Sequence, residues 1–164
     1  MTSINLTREE ANARSQMIDV KHYDVHLDLT DSETHFISTT VVSFHVKQAG
    51  STFIDLRGEE LLELRLNGAP LPTNAYEAKF GVPLSGLQVA DYELKVVAKI
   101  PYSHTGEGLH RFVDPADEKV YLYTQFETAD AKRVFACFDQ PNMKATYSLA
   151  FDAQIGRASC RERV

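Results

Sequence analysis

At 164 residues, 43% hydrophobic and 24% charged, the chain has the composition of an ordinary globular protein and is long enough for one sizeable core. Its mild formal charge of −6 disfavours nucleic acid or an anionic membrane as a partner, since either needs a basic face. No apolar run approaches the roughly 20 residues that span a bilayer, so neither nucleic acid nor membrane is expected as a partner.

The opening, MTSINLTREEANARSQ, is polar where a secretory signal needs an apolar stretch. The two cysteines, Cys137 and Cys160, lie in unrelated surroundings without Cys-x-x-Cys spacing. Neither a disulfide framework nor a metal site is expected from them, and a reducing, cytoplasmic location fits.

Leu6–Val20 reads as a helix. Thr7 and Glu10 have the spacing of a capping box, which satisfies first-turn N–H groups, and Glu9 and Glu10 suit the positive end of the helix dipole. The expected role is a surface helix against a sheet edge. The period then changes from helical to two. In Lys21–Thr30, Tyr23, Val25, Leu27 and Leu29 share one face while His22, Asp24, His26 and Asp28 share the other. His22 and His26 have the spacing of a helical zinc pair, but on a strand they stand about 13 Å apart, which separates them too far for one metal.

Thr34–Gln48 is a second strand with Phe36, Val42, Phe44 and Val46 facing one way, joined to the first through Asp31-Ser32-Glu33 as a hairpin. Shorter strands are expected at Ser51–Leu56 and Leu61–Leu66, followed by Asn67-Gly68, a type I′ turn signal in which both residues take positive φ. A loose segment carrying Tyr76, Phe80 and Val82 leads to an alternating strand at Asp91–Ile100. Pro101–Asp117, rich in Gly, His and Asp, reads as a loop, and its Gly106-Glu107-Gly108 as a mobile turn. Strands Lys119–Glu127 and Ala145–Phe151 complete the set. Many short strands and one helix argue an all-β domain of packed or strongly twisted antiparallel sheets.

The last ten residues, IGRASCRERV, break the pattern, with three arginines and no apolar period. One back-translation of them, ATC GGA AGA GCG TCG TGT AGG GAA AGA GTG, is similar to a common sequencing-library adapter. The expectation is a β domain over residues 1–154 and a non-native tail over 155–164, Cys160 included.

Most catalytic signatures are missing from this sequence. It contains no His-Glu-x-x-His zinc helix, no Gly-x-Ser-x-Gly elbow and no phosphate loop. Cys137, between Ala136 and Phe138, reads as a buried inert thiol. Gln125 and Glu127 stand out instead. Two apart on a strand, they would project from one face while Phe126 turns to the other. A carboxylate beside an amide suits a peptide N-terminus: the carboxylate pairs with the α-ammonium, whose ordinary pKa is about 7.7–8.0, and the amide bonds the backbone. Exposed polar residues at a strand end are the alternative.

At these residues the chain resembles the aminopeptidase N family of zinc metallo-aminopeptidases. The likeness runs from the LTREEA helix to about Ala153 and is densest in HTGEGLHRFVDP, YLYTQFETADAKRVFACFDQP and the following KAT. The family pattern of Thr-Gln-x-Glu, Ala-Arg, Phe-Pro-Cys-Phe-Asp-Glu-Pro and Lys-Ala is met by Thr124-Gln125-Phe126-Glu127, Ala131-Lys132, Phe135 to Pro141 and Lys144-Ala145. Lys132, Ala136 and Gln140 depart from it. The resemblance implies a saddle-like β N-terminal domain capping one side of the active site of a longer enzyme. Glu127 would bind the free α-amino group of the substrate, and Gln125 would hydrogen-bond near its first residues. It places the zinc, its His-Glu-x-x-His ligands and the catalytic base in a following domain. No catalytic residue and no metal ligand is expected in this chain, which alone should hydrolyse nothing; its partners would be peptide substrates and that missing domain.

A stand-alone β-sandwich module that binds a protein or a carbohydrate is the competing reading. The source DNA separates the two. Adapter sequence should begin near the codon of Ile155, and in genuine genomic DNA the frame should continue into a His-Glu-x-x-His segment; a native stop codon shortly after residue 154 would favour the module.

Overall fold

The structure is a computed structural model that describes residues 6–153. Within them the chain runs α1 (Arg8–Met17), β1 (Ile18–Asp28), β2 (His35–Val46), β3 (Gly50–Ile54), β4 (Glu60–Leu66), β5 (Ala69–Pro70), β6 (Val82–Leu87), β7 (Asp91–Pro101), β8 (Gly108–Val113), β9 (Val120–Gln125) and β10 (Thr146–Asp152). A short 3-10 turn occupies Ala131–Arg133. Six strands form one sheet in the order β10-β1-β2-β7-β4-β5, and β3-β6 and β8-β9 form two-stranded sheets. The expected all-β class with one short helix holds. The tail assigned to residues 155–164 lies outside the described residues.

The main sheet follows from the alternation. In β2 every second residue from Phe36 to Val46 is buried, and β1 and β7 flank it in antiparallel register. One irregularity matters in β1. Ile18 and Val20 are buried, the register shifts between Val20 and His22, and the buried series resumes at Tyr23, Val25 and Leu27. Without that bulge, strict alternation from Ile18 would send His22, Asp24 and His26 inward. Asn67 and Gly68 take φ of 49° and 79°, as their turn requires.

Three expectations are corrected. β6 and β8 replace the expected loose segment and loop, because neither buries every second residue: β6 carries Pro83 and Gly86, and β8 opens with two buried neighbours, Gly108 and Leu109. β10 lies parallel to β1 rather than antiparallel, pairing Tyr23 with Tyr147, Val25 with Leu149 and Leu27 with Phe151. This register carries the core face of the sheet onto β10, where Tyr147, Leu149 and Phe151 remain 50–57% exposed.

The helix is the third correction. Its capping box forms as read: Glu10 N donates to Thr7 Oγ1 at 3.2 Å and Thr7 N to Glu10 Oε2 at 2.8 Å. The bond from Thr7 holds the Glu10 carboxyl below the usual carboxylate range. But α1 ends at Met17, since the β-branched Ile18 and Val20 are poor helix formers and bury their side chains in β1. Nor does α1 merely rest on the surface, because its Arg14 is only 4% exposed.

The Arg14 guanidinium donates to Asp55 Oδ2 and to Gln140 Oε1, both at 2.7 Å, and lies 4.9 Å from the Phe53 ring centroid. Asp55 Oδ2 also accepts from Asp139 N at 3.1 Å, and the Asp55 backbone exchanges hydrogen bonds with Cys137 at 2.9 and 3.1 Å. Gln140 Nε2 donates to Ala11 O and Asn142 Oδ1. Helix, β3 extension and the buried corner Val134–Phe138 are thereby joined. Burial raises the Cys137 thiol well above its ordinary pKa, in keeping with an inert thiol.

Removing one partner of a buried ion pair strands the other charge, so Arg14→Ala should cost about 3–5 kcal/mol in unfolding free energy. Denaturant unfolding measures it. A loss no larger than that of a surface substitution would show that the pair does not organise the corner.

Candidate functional site

β8 and β9 form a ribbon in which Gly108 faces Gln125, Leu109 faces Thr124 and His110 faces Tyr123. Every residue of β9 is exposed. The ribbon ends where its partner ends. Beyond Gln125 the β8–β9 ladder stops, Phe126 sets its ring edge-on to Phe135 at 5.9 Å, and the strand gives way to a turn. The Asp130 amide closes that turn on Phe126 O at 3.0 Å.

Glu127 therefore lies in the turn and not on the strand, and the peptide between Glu127 and Thr128 is cis. The expected strand Lys119–Glu127 is shortened to Val120–Gln125, so strand alternation does not place the two side chains on one face. What the structure brings together is a ribbon end and the turn that leaves it. Gln125 sits at the last paired position and Glu127 two residues on, both exposed. Polar bonds around the turn are made by neighbours, chiefly Arg133 Nε to Asp130 Oδ1 at 2.6 Å. Among the described residues, the Gln125 amide and the Glu127 carboxylate have no hydrogen-bond or ion-pair partner. An amide and a carboxylate in this state are free to accept and donate to a ligand.

Behind the turn stands a row of aromatic rings. Phe135 meets Tyr147 at 6.2 Å, and Tyr147 stacks on Tyr23 at 4.8 Å with 10° between planes. Burial pushes the Tyr147 phenol up to about 12 and, more strongly, raises that of Tyr23, whose hydroxyl accepts from Phe138 N at 3.0 Å. This row connects the turn to β10 and β1.

The three departures from the family pattern, Lys132, Ala136 and Gln140, are all buried in the corner, so they bear on packing rather than on the exposed pair. His22 and His26 bond to β10 residues, Thr146 Oγ1 at 2.7 Å and Asp152 Oδ2 at 2.9 Å, rather than to one common centre. Among the described residues no group of three or more His, Cys, Asp or Glu side chains is placed to hold a metal ion, so the donor set does not fit a zinc site. None of the described helices is long and apolar enough to cross a membrane.

Sequence reading missed Gly108, Asp130 and Arg133. Gly108 opens a strand instead of lying in a turn, with φ of +67°, and a Cβ there would lie 2.8 Å from Arg133 Cβ. Its only signal was the apolar content of the Leu109–Val113 run that follows. The approach of Arg133, 25 positions on, left no local trace.

Residues 19–157 match the family model described as the peptidase M1 N-terminal domain. The chain is 45% identical over 159 residues to an aminopeptidase N from Streptomyces lividans, covering 95% of this chain and 19% of that one. A probable M1 family aminopeptidase from Encephalitozoon cuniculi is 30% identical over 152 residues, covering 85% and 17%. The chain thus spans about a fifth of the length of the curated relatives it matches. Among solved structures, aminopeptidase A of Legionella pneumophila in complex with aspartic acid shares the fold, with TM-score 0.68 at 19% identity over 82% of this chain and 16% of that one.

Close to the turn, burial raises the Asp139 carboxyl above its ordinary pKa, outweighing the bond it accepts from Lys132 N at 3.3 Å and the Lys132 charge. A carboxyl raised in the folded state binds more protons there than in the unfolded chain. Its contribution to stability is complete below the unfolded value of about 3.9 and is lost as pH rises through the folded value. Asp139→Asn should therefore gain on the wild type as pH climbs through that acid window and hold a constant difference above it. Unfolding curves at a series of pH values test this; a difference independent of pH would contradict it.

Proposed function

The chain belongs to the peptidase M1 N-terminal domain family, and from that premise we propose that it is the substrate-anchoring domain of a zinc aminopeptidase that removes N-terminal residues from peptides. The observation that carries the reading is the exposed, unpartnered Glu127 carboxylate two residues past Gln125, at the open end of the β8–β9 ribbon. Glu127 receives the substrate's α-ammonium in a charge-assisted hydrogen bond, and the Gln125 amide bonds the peptide backbone beside it.

An anchor of this kind selects for a free N-terminus. A blocked amine carries no charge to pair, and a deprotonated one loses it as pH passes about 8. The pair holds and orients one end of the peptide and transfers no proton in the cleavage itself. When bound, a zinc ion supplies Lewis-acid activation of water, and its ligands lie, on this reading, outside this chain. The chain alone then hydrolyses nothing. Its partners are peptides and the remainder of the longer enzyme, in a reducing cytoplasm suited to the buried free thiol of Cys137.

In the full-length enzyme Glu127→Ala should raise KM for aminoacyl substrates, and Ki for amine-bearing inhibitors, by about ten- to a hundredfold, the equivalent of one charge-assisted hydrogen bond. Steady-state kinetics would decide. Unchanged KM and Ki would remove Glu127 from the site.

A further inference from the structure

The turn that carries Glu127 is held from two sides. On one, the Phe126 ring stands edge-on against buried Phe135, at 5.9 Å and 86°. On the other, Asp130 Oδ1 accepts from Arg133 Nε at 2.6 Å while the Asp130 amide closes the turn on Phe126 O. Arg133 in its turn lies against Gly108, the residue directly opposite Gln125. A side chain at Gly108 would collide with Arg133, since a Cβ would stand 2.8 Å from Arg133 Cβ, and the φ of +67° disfavours any side chain there. The missing Cβ lets the 3-10 turn Ala131–Arg133 approach the ribbon end. One contact thus spans both halves of the candidate pair, with Gln125 across the ribbon from Gly108 and Glu127 in the turn closed by Asp130.

We propose that Arg133, seated on Gly108, is a positioning residue for the amine-anchoring pair, fixing through Asp130 the turn from which Glu127 projects. This rests on the reading of Glu127 as the ligand of the substrate's α-ammonium. The side chains of Arg133 and Asp130 are 36% and 21% exposed, and an ion pair with that access to water contributes little to global stability. Its consequence is geometric. An anchoring carboxylate misplaced by an ångström or less loses much of its hold on the ligand. Arg133→Ala should accordingly leave the melting temperature nearly unchanged and act on substrate binding.

The test is a double-mutant cycle in the full-length enzyme, with KM and kcat measured on an aminoacyl reporter. Arg133→Ala should raise KM roughly fivefold with kcat little changed, and should add nothing in a Glu127→Ala background, because it acts through that carboxylate. Arg133→Lys, which keeps a cation within reach of Asp130, should recover part of the loss. If Glu127→Ala raises KM while Arg133→Ala leaves it unchanged, or multiplies it equally in both backgrounds, the positioning role is overturned and the anchoring role stands. If Glu127→Ala leaves KM unchanged, the anchoring role falls and the positioning role falls with it.

Discussion

Asp55 is the point at which the parts of this domain are tied. Its carboxylate accepts from the buried Arg14 guanidinium and from the Asp139 amide, while its backbone pairs with Cys137. A buried carboxylate is unfavourable without a cation and hydrogen-bond donors. Helix α1 must therefore bring Arg14, and the Phe135–Gln140 corner must thread past the end of β3, for the charge to be satisfied at all. Everything from β9 to β10 hangs from that corner. Phe135, at its start, supports Phe126 on one side and Tyr147 on the other, so the turn bearing Glu127 and the strand β10 are located by the same buried segment.

The main sheet was legible because its strands are long and one face is buried. Phe36, Val42, Phe44 and Val46 in β2, and Tyr23, Val25 and Leu27 in β1, follow a period of two that only a half-buried strand produces. The cap on α1 was legible because both partners, Thr7 and Glu10, are local. Three features were not. The direction of β10 depends on which strand it pairs with, and alternation within Thr146–Asp152 is the same beside a parallel or an antiparallel neighbour. The depth of Arg14 depends on Asp55 and Gln140, 41 and 126 positions away. The end of β9 depends on where β8 begins, at a glycine whose role lies in its contact with Arg133.

Strand alternation suggested Gln125 and Glu127 side by side on one face; they instead occupy a ribbon end and the turn leaving it. The turn can be set independently of the strand, through Arg133, Asp130 and Phe126. Exposed apolar side chains stand on the neighbouring elements, Tyr121, Leu122 and Tyr123 on β9, Phe126 just past its end, and Tyr147, Leu149 and Phe151 on β10. A carboxylate at the border of such a surface loses part of its hydration to any ligand or domain that covers it, which strengthens its pairing with a cation.

A structure of the full-length enzyme with a bound amine-bearing inhibitor tests the anchoring claim most directly. The inhibitor's α-amine should lie within about 2.7–2.9 Å of a Glu127 carboxylate oxygen, the range of a charge-assisted bond. An amine bonded only to other groups, with Glu127 left in solvent, would contradict it.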